Sequence, residues 1–398
     1  TDDPEEFLGS RIGGFENFTR SRVLRADDRL VGNTTGKGIA RIRSMLQLRE
    51  LLLFTDAGEF SATGPDGTLT STNPIVTQYG YSGTTNVKPL VVEDTALFVD
   101  GTGRQVRDLR YAFEQDGYNG NDLTVFASHF FEGRQIAGWA FAKNPYSIVW
   151  VYLDDGTLLS FTYKREHQVW AWCDHDLSGG LVEQAVVIPE DDTDRLYMVV
   201  KRTINGSVVR YIERMNDRQF VDVEDAWFVD CGIKYDGAAT TSISGLSHLE
   251  GKTVSALADG NVVEDLVVSS GSITLQRAAS KVIVGLPYYS EIENLPPAIE
   301  LQDVGSARGR PIAINKVEVQ VERTRGLKGG VDRTGLNEFI QTKIDLALPI
   351  GMETDMIPIT FPPNWNTGGT IILVLGVLIM HGITLTKCCS MVPYILWC

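Results

Sequence analysis

Two histidines and a cysteine, His167, Cys173 and His175, are the residues nearest to a metal-binding spacing. In an extended strand, residues two apart project to one side about 7 Å from each other. Cys173 and His175 can therefore face the same way, with His167 at the same parity. A zinc site needs three or four convergent ligands at short spacing, which this group does not supply, and packing within a sheet accounts for it. Carboxylates are plentiful, with 51 Asp and Glu, so a glycosidase pair is compatible with composition. However, the repeated Ser-x-Asp-x-Gly-x-Thr-Trp turns of sialidase-type propellers are absent. Glu190-Asp-Asp-Thr-Asp194 reads as a solvated turn, because a calcium loop wants alternating acids closed by glycine. Gly101-Thr-Gly103 lacks the third glycine of a dinucleotide loop, and no nucleophile elbow, H-E-x-x-H or P-loop occurs. The expectation is no enzyme: no catalytic, cofactor-binding or metal residues, and no cofactor.

The elements that hold these residues are hairpins. Ile148-Val-Trp-Val-Tyr-Leu153 and Thr157-Leu-Leu-Ser-Phe-Thr-Tyr163 flank Asp154-Asp155-Gly156, and Leu196–Ile204 and Ser207–Arg214 flank Asn205-Gly206. Asp-Gly and Asn-Gly between β-branched and aromatic runs signal tight hairpins, since Gly accepts φ > 0. Similar strand-turn-strand patterns surround Asp56 and Asp100. The turns at Asp56, Asp100, Asp155 and Asn205 are 44, 55 and 50 residues apart, a period that suits four-stranded propeller blades. The long interval is expected to hold a helical insert: Asp122 as N-cap, Leu123, Phe126, Ala127 and Phe130 on one face, and Gly133 as its end.

The 398 residues exceed one average domain, and 39 glycines with little helical periodicity favour an all-β chain. Lys and Arg number 36, which leaves a formal charge of −15. Gripping nucleic acid by its phosphates needs basic patches, so that function class is disfavoured, although a surface past which DNA slides is not. Five cysteines, three of them from Cys388 onward, do not form a disulfide framework. The opening Thr1-Asp-Asp-Pro-Glu-Glu6 is acidic and lacks an apolar core, so it is not expected to be a signal peptide.

The expected division is 1–220 as propeller-like blades, 221–297 as a small β module, and 298–398 as a C-terminal β segment completing the propeller or a platform. Leu295-Pro-Pro-Ala298 is the expected exit linker of the module. Val317, Val319 and Val321 alternate with Glu318, Gln320 and Glu322, which predicts a half-buried strand. The run Ile371–His381 is the most apolar in the chain. It is shorter than the roughly 18 residues of a membrane span and reads as buried strand.

Gly14-Phe-Glu-Asn-Phe18, Leu97-Phe-Val-Asp100, Arg107-Asp-Leu-Arg-Tyr111, Asp116–Thr124, Asp155–Glu166, Val169-Trp-Ala-Trp172, Arg202-Thr-Ile-Asn-Gly206 and Arg210-Tyr-Ile-Glu-Arg214 occur in that order. This series resembles the tail nozzle proteins (tail tubular protein B-like) of short-tailed bacteriophages over about residues 7 to 220. Residues 239–290 are similar to a small β domain named after ubiquitin-activating enzymes, with Arg323-Thr-Arg-Gly326 as the return strand. The resemblance implies a structural protein of the virion tail, assembled in the host cytoplasm. Six copies would form a ring beneath the tail adaptor, in contact with fibre or spike proteins, and genomic DNA would pass through without specific binding or membrane insertion. It also implies that the family pattern starts upstream of Gly14. An acidic lumen is expected in such a ring, with Asp154, Asp155, Glu190, Asp191, Asp192 and Asp194 as candidate contributors. The alternative is a phage or secreted propeller that binds or depolymerises glycans.

Overall fold

The structure, a computed structural model, describes residues 3–36, 40–217, 220–296, 300–301, 305–306, 312–339, 349–360, 365–366, 370–375, 382–387 and 395–396. It is all-β, built from many small antiparallel sheets. The chain divides into two units, Thr1–His175 with Leu181–Val200, and Asp176–Gly180 with Lys201–Cys398.

The first unit opens with β1 (Glu6–Gly9) paired to β2 (Leu30–Asn33). Three four-stranded meanders follow. Sheet I holds β3 (Ile42–Gln47), β4 (Leu51–Thr55), β5 (Glu59–Thr63) and β6 (Ile75–Gln78). Sheet II holds β7 (Leu90–Val92), β8 (Thr95–Val99), β9 (Val106–Ala112) and β10 (Gly117–Asn119). Sheet III holds β11 (Ile136–Ala142), β12 (Ile148–Leu153), β13 (Leu158–Lys164) and β14 (Val169–His175). β15 (Leu181–Glu190), β16 (Thr193–Ile204) and β17 (Ser207–Arg214) make a three-stranded sheet, and β16 carries the chain from the first unit into the second.

Strand alternation explains why the central strands read as unbroken apolar runs. Successive side chains point to opposite faces, and here both faces are covered. Leu52 and Phe54 of β4 pack on Ala96 and Phe98 of β8, with the Phe54 and Phe98 rings 5.2 Å apart. Leu53 points the other way, to Phe7, Phe60 and Ala62. Leu97 and Val99 leave the far face of β8 to join Val149, Val151, Leu159 and Phe161 of sheet III. Consecutive sheets are also tied by backbone. The Thr84 amide donates to the Thr55 carbonyl at 2.9 Å, that of Ile136 to Gly103 at 2.8 Å, and that of Val182 to Gly156 at 2.8 Å. Each bond runs from the lead-in or start of the first strand of one sheet to the turn between the second and third strands of the sheet before it, or to the residue that enters that turn.

The expected helix after Asp122 is not there. The Asp122 carboxylate accepts from the Thr124 amide and hydroxyl, which closes a local turn, and only a 3-10 turn at Ser128–Phe131 follows. Phe126 is 95% exposed, while Phe131 is buried against Trp172. An Asx turn competes with the helix for the same donors, and the contact between Phe131 and Trp172 holds the segment outside helical register. Nor does this segment stretch the period: the four sheets begin at residues 42, 90, 136 and 181 with it in place. The longest turn interval, from Asp100 to Asp155, arises because β11 and β12 hold seven and six residues joined through 143–147, whereas β7 and β8 hold three and five joined through 93–94.

In the second unit, β18 (Val229–Ser244), β19 (Thr253–Ala258), β20 (Asn261–Val267) and β21 (Ser272–Pro287) form one sheet in the order β18-β21-β19-β20. Ile243, Leu249, Val254, Ile273, Val282 and Val284 lie in its core, and Ile204, Val209 and Tyr211 pack on that core. β22 (Ser290–Glu293) leads out, followed by the two-residue strands β23 (Glu300–Leu301), β24 (Gly305–Ser306) and β25 (Ile312–Ala313). Then come β26 (Lys316–Thr324), β27 (Leu327–Gly330), β28 (Asn337–Glu338), β29 (Glu353–Thr360), β30 (Trp365–Asn366), β31 (Ile372–Leu375), β32 (Gly382–Lys387) and β33 (Ile395–Leu396). Val317, Val319 and Val321 are buried as the alternation requires, together with Ile357, Ile359, Ile371 and Leu373. The start of the apolar run is thus a buried strand, β31, between β22 and β27. Residues 376–381 of that run, and Pro297 and Ala298 of the expected linker, lie outside the described residues.

Candidate functional site

The His167, Cys173 and His175 group does not converge. His167 ends a 3-10 turn and Gln168 follows in the left-handed region (φ 53), so the parity that placed His167 with the others is broken before β14 begins. The Cys173 thiol turns to the Asp174 carbonyl at 3.3 Å. His175 Nε2 lies 2.8 Å from Ser160 Oγ on the neighbouring strand, with its ring 5.1 Å from that of Trp150. A Ser–His pair acts as a nucleophile only with donors for the oxyanion. Ser160 sits mid-strand in β13, whose backbone is laddered to β12 and β14 on both sides. Among the described residues no group of three His, Cys, Asp or Glu is placed to hold a metal ion.

The turn acids serve mainly as caps. Asp100, at the Gly101-Thr-Gly103 turn, accepts from the Arg104 and Gln105 amides at 3.2 and 3.0 Å, so the loop wraps its own carboxylate. Asp154 accepts from the Gln135 amide at 3.1 Å, and Asp194 from the Lys143 and Asn144 amides at 2.7 and 2.9 Å. Burial alone would raise the Asp155 carboxyl, but hydrogen bonds from Thr157 outweigh it, with the Arg134 charge adding to them, and hold it below its usual value. Glu190 takes the Tyr197 hydroxyl. Asp191 and Asp192 remain at the exposed tip.

Sequence reasoning missed the buried ionic centres. Asp108 is 1% exposed, and its Oδ2 accepts from Arg165 Nη1 at 2.8 Å and from the Tyr163 hydroxyl at 3.1 Å. Its Oδ1 accepts from the Asn121 amide at 2.5 Å. One carboxylate therefore joins β9 of sheet II to β13 of sheet III and to the loop after β10. In the second unit, Arg202 is buried and forks onto Glu213 at 2.5 and 2.8 Å, with Nη1 on the Leu177 carbonyl at 2.6 Å. Beside it, burial pushes the Asp230 carboxyl up to about 7, against the lowering effect of Ser178 and the Arg202 charge. Burial, reinforced by Glu213, pushes the Cys231 thiol up to about 12. A nucleophilic cysteine must be a thiolate, the form that this burial disfavours at Cys231. His248 Nε2 reaches the Cys231 carbonyl at 2.9 Å, which pins the bulge in β18.

One signal could have found these centres. Asp108 shares strand parity with buried Val106, and Arg202 with Leu196, Met198 and Val200. An ionisable residue at an inward position of an alternating strand must find a partner, because a buried charge without one is costly.

No protein-family model matches the chain, and no curated protein sequence matches it. Among the described residues no helix is long and apolar enough to cross a membrane.

Proposed function

We propose that the protein is a structural subunit of a bacteriophage tail, a nozzle-type ring through which the genome leaves the particle. The observation that carries this reading is the use made of the motif residues. Asp108, Tyr163 and Arg165, drawn from two of the motifs that resemble tail nozzle proteins, are hydrogen-bonded to one another between sheets II and III. Arg202 and Glu213, from two more, pair within the sheet that follows. Side chains placed this way build stiff joints. That suits a part whose task is to keep its shape under load.

The charge balance agrees with a conduit. A tube that attracted phosphates would hold DNA by counterion release, whereas a chain of −15 repeated around a ring repels it. Tail adaptor and fibre or spike proteins are the partners this reading requires, and catalysis is not part of it. Electron microscopy and mass photometry of the purified chain test it, alongside release of reducing sugar from host polysaccharide. Closed rings with an axial opening and no turnover are expected. A stable monomer that cleaves glycan would overturn the reading in favour of a depolymerase.

A further inference from the structure

The segment between β1 and β2, residues 10–29, displays apolar side chains to solvent although it is internally braced. Phe15 is 93% exposed and Val23 78%, with Ile12 and Phe18 also exposed. The bracing is dense. The Arg11 amide donates to the Asn17 carbonyl at 2.8 Å, Gly14 to Arg11 at 3.1 Å and Asn17 to Gly14 at 2.9 Å. The Arg11 guanidinium reaches Asp27 at 2.8 Å, and buried Asp28 takes the Ser21 hydroxyl at 2.8 Å and the Arg25 amide at 2.9 Å. A loop fixed in this way meets a partner without loss of its own conformational entropy.

Its charge is opposite to that of the chain. Residues 11–29 carry five arginines against three acids, within a protein of net charge −15. A surface of the opposite character lies in the same unit. On β15, Val186 and Ile188 are exposed two residues apart, hence on one face. They precede the acidic turn, and residues 183–194 hold five acids and no lysine or arginine. One patch is aromatic and basic, the other aliphatic and acidic.

We propose that the 10–29 loop of one copy docks on the β15 face and acidic turn of a second copy of this chain. Phe15 supplies the apolar anchor against Val186 and Ile188, and Arg20 and Arg22 meet Asp191 and Asp192. Because the two patches are different and do not overlap, the contact is head-to-tail, and repetition leads to a ring or an open filament. This junction rests on the conduit reading and gives it a specific interface.

The test uses the full chain and reads mass by analytical ultracentrifugation and mass photometry. Phe15→Asp and Ile188→Asp, both at exposed positions, each weaken assembly at least tenfold, while circular dichroism and melting are unchanged. Mixing the two variants restores dimers and nothing larger, since each pair retains a single intact junction. Arg22→Glu weakens assembly, and Asp192→Arg added to it restores assembly in part. Rings of unchanged mass in both single variants would overturn this junction while leaving the conduit intact. A wild-type monomer at all concentrations would overturn both. Binding of a monomeric wild type to phosphatidylserine vesicles, lost in Phe15→Asp, would instead make the loop a membrane contact and refute the proposal.

Discussion

The two buried ionic centres handle the same problem differently. Asp108, in the first unit, is surrounded by donors: a guanidinium, a phenol and a backbone amide. In the second unit the guanidinium of Arg202 is already committed to Glu213 and the Leu177 carbonyl, so Asp230 next to it is left with the Ser178 hydroxyl at 3.0 Å. The Asp230 carboxyl is accordingly pushed up to about 7. Burial raises the cost of a charge in both places, and the donors within reach differ: three tie Asp108 into a joint between two sheets, whereas Asp230, with the Arg202 guanidinium already committed, is left proton-sensitive.

The comparison is tested most severely at Arg202. Arg202→Met removes a charge that is 2% exposed and leaves Glu213 and the Leu177 carbonyl unanswered, so stability should fall by about 3 to 5 kcal/mol. Urea unfolding of the full chain measures it, and a loss under about 1 kcal/mol would show that the pair does not brace the second unit. Asp108→Asn keeps the shape but replaces an acceptor facing Arg165 and Tyr163. A loss of about 1 to 3 kcal/mol is expected. Unchanged stability in Asp108→Glu would show that charge alone matters, and that the three-donor geometry does not.

The pH dependence tests the Asp230 centre. Asp230, and also Glu59 in the first unit, whose carboxyl burial pushes up to about 7, hold a proton in the folded state that an unfolded carboxylate releases near pH 4. Their contribution to stability is complete below about pH 4 and is lost as pH rises to about 7. Asp230→Asn should therefore flatten the decline between pH 5 and pH 7 and raise stability at pH 8 by on the order of 1 kcal/mol. Melting temperatures across that range read the effect. An unchanged slope would mean that the Asp230 carboxyl is ionised in the fold.

The smallest expected effect lies at a turn outside both centres. Asn205 and Gly206 have φ of 45° and 74°, and no atom lies within 4 Å of where a Gly206 side chain would start. Gly206→Val therefore costs conformational strain only, on the order of 1 kcal/mol, while Ser207→Ala is close to neutral. Equal melting temperatures for the two variants would remove the left-handed turn from the account.

Several features could be read from sequence because their causes are local. Asp155-Gly156 and Asn205-Gly206 turn where only a few residues tolerate positive φ, and Val317, Val319 and Val321 are buried because a strand has a period of two. The all-β class and the succession of hairpins follow from such short-range rules. What lay beyond reach depended on residues far apart in the chain. Leu123, Phe126, Ala127 and Phe130 have helical spacing, yet contact between Phe131 and the distant Trp172 prevails and leaves Phe126 in water. Asp154 and Asp194 looked like surface charge, but amides 19 and 51 residues earlier, at Gln135 and Lys143, take them as caps. Asp108 needed Arg165, 57 residues on, before its burial made sense. Local chemistry specifies a turn or a strand because its partners are neighbours, whereas the role of a charged side chain depends on which distant donors the packed sheets bring within 3 Å of it.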